Sequence, residues 1–506
     1  MRYRNPVIPG FHPDPSICRV GSDYYLVTST FEYFPGVPIF HSTDLVHWRQ
    51  IGYCLTRDSQ LPLKTAGSSG GIYAPTIRWR DGTFYMVVTN VSGMGHFYVT
   101  AQRAEGPWSD PILVRANGLP AEGIDPSLFF DDDGVVYFSC NAGMSTIDIE
   151  TGSLRSDLKH VWTGSGGRYA EAPHLYKING LYYYLLAEGG TEAGHMVTIA
   201  RSVSPWGPYE ACPHNPILTH RDRGEGSVQS TGHADLIEAH DGSWWAVFLA
   251  TRVSAKYPNV HHLGRETFLA PVTWDSEGWP LIGNQGVVDL EMPAPSFMIA
   301  SEQDQEATSC DDFDTDTLAL PWNFRRNPNP GDWSLSERPG SLTLKCIPVT
   351  LNDAAPLAFV GRRQEHFRCR FSACIAFDPR TATEEAGLTV IMNEEHHYEI
   401  FVRGNDGGER TVAVRRRIGD LVAVVAEDLL GDGDVILSID ASPEEYHFGC
   451  KVRNGDQKTI ASGATRYLST EVAGGFTGAY IGMYATSNHH ESTAFAHFDW
   501  AEYTFE

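Results

Sequence analysis

The chain has 506 residues, and 38 Lys and Arg against 63 Asp and Glu leave a formal charge of −25. That balance argues against nucleic acid or an anionic membrane as partner, because phosphate surfaces demand a basic patch; the acidity is spread along the chain and reads as solubility. Aromatic residues make up 11%, with 12 Trp and 22 Tyr, which in an acidic chain points to carbohydrate or to strand-rich cores.

The N-terminus, MRYRNPVIPG, carries no apolar segment after its two arginines, and no apolar run approaches the ~20 residues of a membrane span. The expectation is a cytoplasmic protein. The nine Cys are scattered and odd in number, which fits buried free thiols in a reducing compartment better than a disulfide framework.

One unit recurs through the first three hundred residues. A turn followed by an aromatic-rich strand reads GSDYYLVTS from Gly21, DGTFYMVVT from Asp81, DGVVYFSC from Asp133, NGLYYYLLA from Asn179 and DGSWWAVFLA from Asp241. Asn-Gly and Asp-Gly ahead of β-branched and aromatic residues are strong hairpin signals. The starts lie 60, 52, 46 and 62 residues apart, room for about four short strands each. The strand before each turn repeats too, as DPSICRV from Asp14, APTIRWR from Ala74, DPSLFFD from Asp125, APHLYKI from Ala172 and HADLIEA from His233. A β-sandwich with many hairpins is the alternative, but the regular period favours a five-bladed β-propeller.

The repeat stops near residue 297. Residues 298–310 read as a linker within the Pro- and acid-rich stretch EMPAPSFMIASEQDQEATSC, and 311–506 alternate apolar and polar in short runs, a β-sandwich pattern. The expectation is an all-β chain: a five-bladed propeller over 1–297 followed by a C-terminal β-sandwich over 311–506. DDFDTD at 311–316 lacks the Gly and terminal Glu of an EF-hand loop and reads as the sandwich entry. His261–His262 and His489–His490 read as solvated imidazoles in polar loops. No phosphate loop, zinc helix or dinucleotide fingerprint is present.

The first strand of every propeller blade lines the central axis, so equivalent positions converge in space. The repeat position before Pro-x-Ile/Leu holds Asp14, Ala74, Asp125, Ala172 and His233, with Glu171 one residue before Ala172. Three carboxylates and an imidazole would therefore meet in one cavity. Two carboxyls flanking a glycosidic bond can hydrolyse it, one donating a proton to the leaving oxygen and the other activating water or attacking carbon. Repulsion between them raises one pKa and supplies the acid. Sequence spacing leaves inversion and retention both open.

With these stretches, and with NPVIPGFHPDPSICRVGSDYYLVTSTFEYFPGVPIFHSTDLVHW, GGIYAPTIRW, GHADLI, LGRETFL, CDDFDTDTL and FTGAYIGMYATS, the chain resembles the family 43 glycoside hydrolases. The likeness is to the two-domain β-xylosidase group and covers nearly the whole chain. It implies an inverting exo-hydrolase in which Asp14 is the general base, Glu171 the general acid, and Asp125 tunes Glu171 and holds the sugar. Arg265 would bind sugar hydroxyls and depress the Asp14 pKa, and Phe31 would wall the first subsite. A sandwich loop narrows the pocket mouth in this group, and Phe476 is the candidate for that contact, with a core aromatic as the alternative. His233 would sit on the channel floor, where some relatives hold calcium or another ion through water; a hydrogen-bonded structural histidine is the alternative. No cofactor is required on this reading, and relatives often assemble as dimers or tetramers. Tyr73 stands where many xylosidases carry Trp, Ala172 where Gly is usual, and Tyr33 where Trp is common. Those departures bear on substrate preference. The resemblance thus implies release of xylose from β-1,4-xylooligosaccharides, with α-L-arabinofuranosidase or dual activity as the alternative and a non-catalytic sugar-binding propeller as the remote one.

Overall fold

The computed structural model describes residues 1–224, 226–256, 259–299, 308–405, 407–452 and 455–506. Five antiparallel sheets follow one another, each built outward from an inner strand: Ser16–Val20, Thr76–Arg80, Ser127–Phe130, Glu171–Ile178 and Val228–Glu238. These inner strands touch their neighbours in a closed ring, the fifth against the first. The turns explain the hairpins. Asp81–Gly82 and Asn179–Gly180 both carry positive φ at each residue (49° and 84°, 50° and 81°), the pattern of the tight turn whose twist matches the flanking strands. The ring is fastened where Arg2–Arg4 pairs antiparallel with Glu291–Pro293, beyond the fifth blade.

A polar knot closes the axis. Asp235 of the fifth blade accepts from Ser16 Oγ of the first at 2.7 Å, from Arg78 Nη1 of the second at 2.8 Å and from the Tyr176 hydroxyl of the fourth at 2.7 Å. A buried ion pair with every remaining lone pair satisfied is a specific latch rather than a strong one.

The C-terminal part is a sandwich of two antiparallel sheets. One contains Leu342–Lys345, Phe495–Phe505, Cys369–Ala376 and Val435–Ala441; the other contains Ala358–Arg363, Tyr480–Thr486, Glu385–Asn393 and His396–Gly404. Thr308–Asp311 already pairs with the Phe495–Phe505 strand, so sandwich structure starts three residues earlier than the predicted 311. Most of the predicted linker, 300–307, lies outside the described residues.

The two parts share one apolar cluster that runs from Val27, Ile39 and Phe84 into Phe324, Val390 and Met483. Phe324–Arg325 pairs with Tyr33–Phe34 across the seam, and the Tyr33 ring stacks on Tyr480 at 3.7 Å. Tyr33 is therefore fully buried against the sandwich. Among the described residues no cysteine forms a disulfide; eight of the nine are buried and Cys310 is exposed. His262, expected to be solvated, is fully buried beside Phe367 and Tyr446, and His261 pairs with Glu471 at 2.7 Å. Their polar flanking sequence belongs to a loop that the sandwich covers. No helix among the described residues is long and apolar enough to cross a membrane.

Candidate active site

Four of the five repeat positions adopt a left-handed backbone: Asp14 (φ 55°), Asp125 (φ 56°), Ala172 (φ 52°) and His233 (φ 50°). Asp and His tolerate this region better than most residues, and strain of this kind concentrates at functional sites. The strand ladder breaks there. Pairing skips between Glu171 and His174 in the fourth blade and between Gly232 and Asp235 in the fifth. In the fourth blade alanine takes the left-handed position, and the carboxylate that reaches the cavity is Glu171, one residue earlier.

All eight side chains singled out from the sequence line one cavity: Asp14, Asp125, Glu171, His233, Arg265, Phe31, Tyr73 and Phe476, together with Ala74, Ile124 and Thr191. Asp14 is buried and fully engaged. Its Oδ1 accepts from Arg265 Nη1 at 2.8 Å and its Oδ2 from Ser29 Oγ at 2.5 Å, while His233 Nδ1 lies 3.4 Å from Oδ1. Burial pushes the Asp14 carboxyl up, but the Arg265 guanidinium, then His233 and Ser29, outweigh it and hold the group below the usual carboxylate range.

The other two carboxyls move the opposite way. Glu171 is pushed up to about 7, first by burial and then by the charge of Asp14, with Arg265 opposing. Asp125 rises well above its ordinary value by burial, with Glu171 and Asp14 adding repulsion, although the Ala172 N–H donates to it. Carboxyls whose surroundings push their pKa values apart separate an ionised group from a protonated one at the same pH.

Arg265 is a hub. Besides Asp14 it donates to Thr191 Oγ1 at 3.1 Å and to the Phe476 carbonyl at 3.3 Å, and its guanidinium lies 5.6 Å from the Phe31 ring centre. Phe31, Tyr73 and Phe476 form the aromatic wall, with ring centres 5.1 to 6.2 Å apart. Phe476 is 41% exposed, so it is not a core aromatic, and it comes from the sandwich. Its N–H donates to Ser69 Oγ at 2.8 Å, and the Ser69 N–H donates to buried Glu32 at 3.0 Å.

Sequence reasoning missed Ser29, Thr191 and His195. Ser29 sits inside a quoted stretch, in VTSTF, and Thr191 lies four residues beyond NGLYYYLLA, but nothing periodic marks them. His195 donates from Nδ1 to the Ser230 carbonyl at 3.1 Å, and burial pushes it down to about 3, so it is neutral. The carboxylate facing His233 is Asp14, already paired with Arg265. Calcium takes about six to eight oxygens, so these side chains do not fit its direct ligation. Among the described residues no group of three or more His, Cys, Asp or Glu is arranged to hold a metal ion.

Residues 3–280 match the model of "Glycosyl hydrolases family 43", and residues 310–504 match a "Beta xylosidase C-terminal Concanavalin A-like domain". The chain is 47% identical to a non-reducing end α-L-arabinofuranosidase of Bacteroides ovatus, over 99% of this chain and 94% of that protein. It is 37% identical to a xylosidase/arabinosidase of Butyrivibrio fibrisolvens, over 99% of both. Among solved structures, a protein of a Bacteroides ovatus xyloglucan locus superposes with a TM-score of 0.94 at 44% identity, covering 100% of each chain.

Proposed function

Because the chain belongs to glycosyl hydrolase family 43, we propose that it is an exo-acting, inverting glycosidase that releases a terminal non-reducing pentosyl unit from an oligosaccharide. The observation that carries this reading is the opposed pair: Asp14 held ionised by Arg265, and Glu171 held protonated to about 7, on one cavity. Asp14 takes a proton from a water whose oxygen attacks the anomeric carbon. The C–O bond to the leaving group breaks as Glu171 gives its proton to that oxygen. Asp14 ends protonated and Glu171 ionised, and solvent exchange resets both. Asp125, whose carboxyl burial and then the Glu171 charge push well up, faces the same cavity and can hydrogen-bond a sugar hydroxyl.

β-1,4-linked xylosyl units are the substrate that the motifs favour. The α-L-arabinofuranosyl reading stands beside it, supported by the name of the 47% identical relative and by Tyr73 in place of the usual Trp. Exo action is supported by the Phe476 ring, which the sandwich sets on the cavity wall. The test is hydrolysis of nitrophenyl β-xyloside and nitrophenyl α-L-arabinofuranoside side by side, with the anomer of the first-formed sugar read by proton NMR. No turnover of either, or a first product of retained configuration, overturns the reading.

A further inference from the structure

Five of the described arginines are buried, and they fall into two groups. Arg265, Arg325 and Arg326 each hold a carboxylate oxygen of Asp14 or Glu394 at 2.8 Å or closer. Arg362 and Arg363, 7% and 3% exposed and adjacent on the strand Ala358–Arg363, do not. Arg363 donates to two neutral acceptors, the Phe11 carbonyl at 2.6 Å and Asn323 Oδ1 at 2.9 Å, and its Nη2 is buried without a partner. Arg362 meets Glu365 Oε1 only at 3.4 Å, and its Nε is buried without a partner. A buried cation that lacks a close counter-ion is costly, so two side by side mark a place that an anion completes.

Both arginines line one hollow of about 290 Å³ between the first blade and the sandwich, and none of its wall residues belongs to the candidate active site. A neighbouring hollow of about 230 Å³ shares Arg362 with it. The Asp311 carboxylate there is already taken, by the Trp322 Nε1–H at 2.7 Å and the Phe313 N–H at 2.9 Å. On the wall of the larger hollow two guanidiniums face one carboxylate, Glu365. His12 and His366 line it as well, but burial holds His12 well below the ordinary imidazole range and His366 down at about 4, so both are neutral at pH 7. One positive charge is left over. A single carboxylate neutralises it, and its two oxygens match the guanidinium fork. Phe40 and Trp48 from the propeller and Phe505 from the sandwich make the rest of the wall apolar, which suits an organic body rather than a bare ion.

We propose that this hollow is a binding site for a small organic monoanion, one carboxylate carried on a ring with an apolar face, its oxygens held by Arg362 and Arg363. The site stands apart from the glycosidase reading and does not depend on it. A uronic acid and an aromatic acid share this chemistry, and the test separates them. Full-length protein is titrated calorimetrically at pH 7 with glucuronate and with benzoate, each beside its uncharged counterpart, glucose or benzamide, and with inorganic phosphate. At least one acid is expected to bind about tenfold or more tighter than its counterpart and than phosphate, and the acid that does so identifies the source. Arg362→Gln should weaken that acid by about 10–100-fold, the loss of a hydrogen bond between charged groups. Trp48→Leu, on the propeller wall, should weaken it by about 3–10-fold and carries the test if Arg362→Gln does not fold. No binding of either acid overturns the site. So does a folded Arg362→Gln protein, or in its place Trp48→Leu, that binds the acid as tightly as the parent, or an uncharged counterpart or phosphate that binds as tightly as the acid.

Discussion

Replacing Glu171 with Gln tests the proposed acid through stability and rate at once. The Glu171 carboxyl is raised from 4.5 to about 7, so the folded state resists its ionisation. At about 1.4 kcal/mol per pH unit, that rise corresponds to at most about 3 kcal/mol of folding stability lost once the pH exceeds both values. The group is largely buried, so solvent screening discounts this only modestly. The sign follows from proton counts: between pH 4.5 and 7 the unfolded chain binds fewer protons here than the folded one, so stability falls as pH rises. Gln is neutral at every pH and keeps the shape. Glu171→Gln should therefore raise the thermal midpoint at pH 8 by about 2–3 °C, with little gain near pH 4, where the carboxyl is mostly protonated in both states. The rate should fall by about 10²–10⁴-fold on substrates with poor leaving groups and far less on those with good ones, which need little protonation. Calorimetric scans at pH 4 and pH 8, with kcat on a nitrophenyl and an alkyl glycoside, read both. A midpoint gain of the same size at both pH values, or equal rate losses on the two substrates, would refute the reasoning.

The pH profile of the unaltered enzyme should carry an alkaline limb near 7, where Glu171 loses its proton, and an acid limb only below the ordinary carboxylate range, where Asp14 gains one; kcat/KM from pH 3 to 9 checks both, and a missing alkaline limb, or an acid limb above that range, contradicts the assignment. Ser69→Ala removes the acceptor that holds the Phe476 N–H, and should raise KM by about 3–10-fold with kcat within about twofold; a loss confined to kcat would show that the loop does not shape binding. Ala172→Gly relieves a left-handed alanine and should raise the thermal midpoint by about 1–2 °C; a lowered midpoint would show that the backbone there is not strained.

The blades were legible because each repeats a local signal. Asn179–Gly180 and Asp81–Gly82 announce their turns within two residues, and the aromatic strands that follow are buried along most of their length. Asp14, Asp125 and His233 were legible through the same repeat, since equal positions on a ring converge. Glu171 needed an offset of one, and its cause, a left-handed Ala172 and a broken ladder, is a backbone event that no side chain announces. Ser69, Thr191 and His195 were out of reach for another reason. Ser69 meets Phe476 across 407 residues of chain, and no period connects them. His262 misled because polar neighbours describe the loop, whereas its burial comes from Phe367 and Tyr446 in the sandwich.

That last contact bears on what the sandwich does. Arg325 lies 3.3 Å from Glu32 and 2.8 Å from Glu394, and Arg326 lies 2.7 Å from Glu394, so a buried four-membered ion cluster joins a propeller loop to two sandwich segments. Breaking one partner of such a cluster leaves an uncompensated buried charge, which is strongly destabilising. Glu32 also accepts from the Ser69 N–H, and Ser69 accepts from the Phe476 N–H, so the same cluster that fastens the seam sets the position of the aromatic ring at the cavity wall. Arg265 closes the loop from the other side, donating to the Phe476 carbonyl and to Asp14. A propeller cut free of the sandwich would keep Asp14, Asp125 and Glu171 on one axis. It would lose the Phe476 wall, expose Tyr33 and Phe34, and leave Glu32 buried or half-buried without its arginine. The ion cluster at the seam thus reaches the cavity wall through Glu32, Ser69 and Phe476, so Arg325 bears on the shape of the cavity as well as on the sandwich.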